Sequence, residues 1–162
     1  MFDMADLKGF PKPQLYAELD GQLRGLIAGE RDSIANLANA AALIFHGLPD
    51  LNWAGFYLMR EGELVVGPFQ GRPACVRIAM GRGVCGTAAA EARTRIVDDV
   101  EAFPGHIPCD AASRSELVVP LLRDGQVFGV LDLDSPHLAR FDADDAAGCE
   151  RMVATLVEAG VI

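Results

Sequence analysis

The sequence predicts an α+β fold in which helices pack on an antiparallel sheet. Two observations predict it: amphipathic helical patterns open and close the chain, and hairpin-like strand patterns fill the middle. Leu15, Leu19, Leu23, Leu26 and Ile27 form a helical stripe after Pro11 and Pro13. A second stripe begins at Ser33 with Ile34, Leu37, Ala38, Ala41, Ile44 and Phe45, and stops near Gly47 with Pro49 just beyond. These two helices are expected over about residues 14–46. "NWAGFYLM" and "ELVVGPFQ" then flank Arg60–Gly62 as a hairpin. "ACVRIAM" reads as a short strand, "GRGVCGTAAAEA" as a glycine-rich turn opening a short helix, and "RIVDDV" as another strand. A loop is expected from about Glu101 to Arg114. "ELVVPLLRDGQVFGVLDLDSP" is a hairpin turning at Asp124–Gly125. The sheet with its loops thus spans about residues 52–136. Ala146, Cys149, Met152, Val153, Leu156 and Val157 line a closing helix over about 142–159.

The 162 residues suit one domain with its own core. Hydrophobic residues make up 51% and charged residues 23%, a globular composition. Fourteen basic and 23 acidic residues give a net charge of −9, which lacks the footprint of a nucleic-acid binder and disfavours anionic membranes. "MFDMADLKGFPKP" has no basic segment followed by an apolar run, so no secretory signal is expected. No apolar run is long enough for a membrane span. A cytoplasmic protein is expected. Its four cysteines then point to catalysis, redox work, metal binding or simple burial rather than structural disulfides.

Cys149 lies on the apolar stripe of the last helix and reads as an inert buried thiol. Cys75, Cys85 and Cys109 sit beside glycine, proline or charge instead. Cys85 falls in the first turn of the short helix, where free N–H groups lower a thiol pKa and bind anions; a functional thiol and a tightly packed small residue are both open there. Cys109 sits in "PGHIPCDAAS", broken by two prolines and a glycine. Asp110 follows it directly, although a neighbouring negative charge opposes thiolate formation. His106 stands at H-x-x-C spacing from Cys109 and could stabilise a thiolate or, with Cys75 and Cys85, ligate zinc. The chain has no C-x-x-C pair, so no bound metal is expected. His46 and His137 read as a helix end and a surface turn.

Asp132 and Asp134 are two apart on one strand and share a face, roughly 6.5–7 Å apart at Cα. Glu116 joins that face or leaves it according to register. A two-residue turn at Asp124–Gly125 sets it opposite residue 133; a three-residue loop sets it opposite Asp132.

Together "NWAGFYL", "VVGPFQGRPACVRIAMGRGVCGTAA", "DVEAFPGHIPCDAASRSELVVPL" and "GVLDLDSP" resemble the free methionine-(R)-sulfoxide reductases, which are GAF-domain enzymes. The likeness runs from about Asn52 to Pro136. It implies a six-stranded antiparallel sheet, Cys109 as catalytic cysteine, Cys75 as its disulfide partner and Cys85 as the family's third cysteine. It places Trp53, Glu116, Asp132 and Asp134 in the substrate site, and Tyr57, Val84 and Cys85 are counted with them as binding candidates. It also implies a homodimer and recycling by thioredoxin, supplied by NADPH-dependent thioredoxin reductase, with no bound cofactor. The alternative is a non-catalytic GAF module that binds a ligand or senses redox state. In the reductase reading, Glu116 and Asp134 are the candidate proton donors to the sulfoxide oxygen. Asp132 or Asp134 would receive the ammonium group, and the helix start at Gly83–Gly86 the carboxylate. Trp53 offers an apolar wall for the methyl group.

Overall fold

A computed structural model describes residues 7–161 of the chain. The opening residues expected to carry no secretory signal lie partly outside that range. Helices α1 (Lys12–Ile27) and α2 (Ser33–Gly47) come first. They are followed by strands β1 (Trp53–Arg60), β2 (Glu63–Gly71) and β3 (Arg77–Ala79), helix α3 (Gly83–Glu91) and strand β4 (Arg95–Val97). A 3₁₀ turn at Val100–Ala102 leads into the irregular stretch before β5 (Ser115–Arg123), β6 (Gln126–Ser135) and α4 (Ala143–Glu158). The six strands form one antiparallel sheet in the order β3-β2-β1-β6-β5-β4. The predicted α+β class and element order hold. "ACVRIAM" and "RIVDDV" each contract to three-residue edge strands, and the segment after Val97 turns into the 3₁₀ turn instead of extending. No helix among the described residues is long and apolar enough to cross a membrane.

Alternation along the three central strands divides the sheet into two chemically different faces. Ala54, Phe56 and Leu58, with Leu117, Val119, Leu121, Leu131 and Leu133, point to the side covered by α1, α2 and α4 and form the main core with them. The intervening residues Trp53, Tyr57, Val118 and Val130 point to the opposite side, under α3. Asp145 is fully buried between α1 and α4 and is paired with Lys12, Tyr16 and Arg140. It also completes the capping box that starts α4 at Asp142. Buried charge is costly unless its partners are built in, and here they fix how α1 sits on α4.

Both hairpins turn on two residues with positive φ. Glu61 (51°) and Gly62 (87°) join β1 to β2, and Asp124 (51°) and Gly125 (77°) join β5 to β6. Such turns match the twist of the flanking strands. Neither predicted register of the second hairpin is correct. Arg123 pairs with Gln126 across the two-residue turn, but the register then shifts by one residue between Leu121 and Leu122. Leu122 faces Val127 and Leu121 faces Gly129, so Phe128 is the extra residue of a β-bulge. The shift puts Glu116 opposite Asp134, and Asp132 opposite Val118. Glu116, Asp132 and Asp134 therefore share the α3 side of the sheet.

Candidate active site

Glu116, Asp132 and Asp134 floor a cavity whose roof is the start of α3 and the loop carrying Cys109. Tyr57, Ile78, Val84, Cys85 and Ile107 supply much of its wall. α3 can lie this close because Gly86 has no side chain: a Cβ there would meet the Ala79 carbonyl oxygen at 2.4 Å. Cys85 is buried on α3, and its Sγ donates to Oε1 of Glu116 at 3.7 Å. The Gly86 amide bonds the Arg82 carbonyl at 3.0 Å, which leaves Gly83, Val84 and Cys85 as the turn whose N–H groups precede the helical ladder.

The mouth of the cavity holds a disulfide between Cys75 and Cys109, with Cα atoms 5.4 Å apart. Cys109, Asp110, Asp132, Asp134 and Tyr57 also border a second cavity on the side of Trp53, Pro73 and Ala74. The disulfide therefore stands between two pockets over the same acidic floor. Tyr57 donates its hydroxyl to the Cys75 carbonyl at 3.1 Å, tying the Cys75 segment to β1. Trp53 stacks on Tyr57 and Phe69, passing over the bare Cα of Gly55, and its indole N–H donates to the Arg72 carbonyl.

Electrostatics on the floor are dominated by burial. Glu116 and Asp132 are each 6% exposed. Desolvation, followed by the charges of Asp132 and Asp134, pushes the Glu116 carboxyl well above the usual range. Burial likewise raises Asp134, offset in part by a hydrogen bond from Ser113. Asp132 is pushed up to about 7 by burial, held back by the neighbouring Cys85 and Glu116 side chains. Burial and mutual repulsion thus shift all three acids toward their protonated forms. Burial, then the same acids, push the Cys85 thiol well above its usual value, so it is a donor rather than a nucleophile in this state. Among the described residues, Oδ1 of Asp132 is buried without a hydrogen-bond partner.

Of the other sequence candidates, Cys149 is buried beside Tyr16 on the far face. His106 lines the cavity, but burial lowers its pKa, so it is neutral at pH 7 and adds no positive charge beside Cys109. The suggested His106–Cys109–Cys75–Cys85 zinc set is not assembled, because two of its sulfurs are bonded to each other. His46 closes α2 against Phe45, and His137 is exposed.

Two residues escaped the sequence reading. Asn52, just before β1, donates from Nδ2 to Asp110 at 3.1 Å and to Ser113 at 3.0 Å. Ser113 in turn bonds Asp134. Asp110 also accepts the Ala112 N–H at 2.9 Å and lies 3.8 Å from Arg72, and these donors hold its pKa down. The charge beside Cys109 is thus committed to folding the loop onto β1. No pattern in the sequence marks Asn52, because its partners lie 58 and 61 residues away.

Residues 33–159 match the GAF domain family. The free methionine-R-sulfoxide reductase of Escherichia coli (strain K12) is 51% identical over 145 residues, covering 90% of this chain and 88% of that protein. Protein YtsP of Bacillus subtilis (strain 168) is 54% identical over 150 residues, covering 91% and 92%. Among solved structures, free methionine-R-sulfoxide reductase from Neisseria meningitidis in complex with its substrate superposes with a TM-score of 0.92 at 45% identity, covering 98% of this chain and 95% of that one.

Proposed function

This chain belongs to the GAF domain family and, within it, to the free methionine-R-sulfoxide reductases; from that premise we propose that it reduces free L-methionine (R)-S-oxide to L-methionine through Cys109 and Cys75. The observation that carries the mechanism is a cysteine pair in disulfide contact at the mouth of a pocket floored by three buried carboxyls. The Cys109 thiolate attacks the sulfoxide sulfur. Glu116 or Asp134, whose burial favours the protonated form, delivers a proton to the oxygen as the S–O bond weakens. The oxygen passes to Cys109, methionine leaves, and the cysteine is left as a sulfenic acid, oxidised by the two electrons that the substrate gained. The Cys75 thiol attacks that sulfur, water leaves, and the disulfide forms. An external dithiol of the thioredoxin type, fed by NADPH, reduces it by exchange. The cycle needs no bound cofactor.

Recognition of the free amino acid follows from the same groups. Oδ1 of Asp132, buried and unpartnered among the described residues, receives the ammonium group. The N–H groups of Gly83, Val84 and Cys85 receive the carboxylate. Tyr57, Ile78 and Ile107 enclose the apolar portion, with Trp53 supporting Tyr57 from the adjoining cavity. A methionine within a peptide lacks both terminal charges and would leave these groups unpaired. The cytoplasm, where thioredoxin resides, suits this chemistry, and a homodimer is the assembly that the resemblance implies; light scattering tests the latter.

Activity is tested by NADPH consumption with free methionine sulfoxide, thioredoxin and its reductase. Turnover should vanish in Cys109→Ser, whereas Cys75→Ser should release about one equivalent of methionine and then cycle slowly. Absence of turnover in the parent, or its survival in Cys109→Ser, excludes the reductase. Equal rates on peptide-bound sulfoxide exclude the proposed recognition.

A further inference from the structure

Cys85, Glu116 and Asp132 are 4%, 6% and 6% exposed, come from α3, β5 and β6, and place one ligand atom each within 4.8 Å of the others. Sγ of Cys85 and Oε1 of Glu116 are 3.7 Å apart. With a Zn–S bond of about 2.3 Å and Zn–O of about 2.0–2.2 Å, two such donors on one tetrahedral ion stand roughly 3.5 Å apart. An independent sign of a missing partner is Oδ1 of Asp132, buried on this floor with no hydrogen bond among the described residues. The cluster is also anionic once ionised, with Asp134 beside it and, among the described residues, no lysine or arginine hydrogen-bonded to it to offset it.

We propose that Cys85, Glu116 and Asp132 form a binding site for a thiophilic divalent metal ion of the zinc class, occupied when the cavity holds no amino acid. One sulfur and two oxygens leave a fourth position for water, the pattern of an exchangeable ion rather than a closed structural one. The sulfur selects against Mg²⁺ and Ca²⁺, which prefer all-oxygen ligands. On binding, Cys85 and any protonated carboxyl release their protons to solvent and the thiolate and carboxylates coordinate the ion; no electron moves. The ion would lie where the proposed function puts the substrate ammonium, so metal and amino acid exclude each other. That exclusion rests on the reductase reading; the site itself does not.

The oxidised protein allows a direct test, because with Cys75 and Cys109 joined the free thiols are Cys85 and Cys149. Titration with Co²⁺ should produce a sulfur-to-cobalt charge-transfer band that saturates at one ion per chain. The band should persist in Cys149→Ser, disappear in Cys85→Ser, yield to Zn²⁺ and ignore excess Mg²⁺. Asp132→Asn and Glu116→Gln should each weaken Co²⁺ binding by about tenfold or more; should Cys85→Ser fail to fold, these two variants decide. No band in the parent, a band that survives in Cys85→Ser, or parent-like affinity in both carboxyl variants overturns the proposal. Competition is read in the Cys75→Ser, Cys109→Ser double variant, where methionine sulfoxide can bind without reacting. Displacement of Co²⁺ by the amino acid supports overlap, and simultaneous binding overturns the exclusion. A cobalt band in a protein without reductase turnover would refute the function and leave the site standing; turnover without a band would do the reverse.

Discussion

Asp132 has two consequences that point in opposite directions. In the unfolded chain its carboxyl ionises in the ordinary range near 3.8, whereas the folded pocket raises it to about 7. A raised folded value means that the folded state holds the proton more tightly. This contribution to stability is complete below the unfolded value and is lost as pH rises through about 7. Glu116 and Asp134 are shifted in the same direction and steepen the trend. Asp132→Asn should therefore raise unfolding free energy at pH 8 by on the order of 1–2 kcal/mol, a gain that shrinks toward zero at pH 4. Urea melts of the oxidised protein at the two pH values measure this, and a less stable variant at pH 8 would contradict it. In the reductase assay the same change should raise KM for free methionine sulfoxide by about tenfold or more while lowering kcat less, if Asp132 holds the ammonium group as proposed. A stability gain coupled to a functional loss is the signature of a residue kept for its chemistry.

At the scale of elements, the site depends on how two short pieces are held over the sheet. α3 is placed by close backbone approach. Gly86→Ala puts a methyl group 2.4 Å from the Ala79 carbonyl and should cost about 1–3 kcal/mol, seen as a lower urea midpoint. The Cys109 loop is placed by hydrogen bonds from Asn52. Asn52→Ala should speed amide exchange in residues 109–113 while leaving β5 and β6 protected; unchanged exchange in the loop would show that Asn52 does not hold it. How far these elements were legible differs by mechanism. The long helices were readable because their stripes repeat every turn, and the Asp124–Gly125 turn because its residues tolerate positive φ. The bulge at Phe128 was not, because it depends on packing across the sheet and not on local turn chemistry. Three residues of β3 and of β4 pair only at the sheet's edges, so the surrounding "ACVRIAM" and "RIVDDV" patterns overstate their length.

Across the whole molecule, the alternation that was readable in β5 and β6 separates a large apolar core from a polar working face. The resemblance marked the cysteines and acids, and the fold brings Cys75, Cys85, Cys109, Glu116, Asp132 and Asp134 to one place. Asp110 remained opaque because its meaning lies in Asn52 and Arg72, residues distant in the chain. The disulfide links positions 34 residues apart. Closing a loop of that length removes unfolded-state freedom worth about 3–4 kcal/mol. The oxidised protein should be more stable than the reduced one by that order, and Cys75→Ser should match the reduced parent with or without reductant. Equal stability of the two redox forms in urea melts would show that the loop entropy is offset elsewhere.

The Phe128 bulge has an evolutionary corollary. It lies between the hairpin tip and the acids, and pairing is reset there by one residue. Lineages can lengthen or trim the tip around Asp124–Gly125 because a shift in pairing has a place to be absorbed. A single insertion or deletion between Gly129 and Asp132 has no such refuge. It would rotate Asp132 and Asp134 toward Leu117 and Val119 and deliver leucines to the pocket, exchanging the two faces of the strand in one step. Length variation in descendants of this chain is therefore confined to the far side of the bulge.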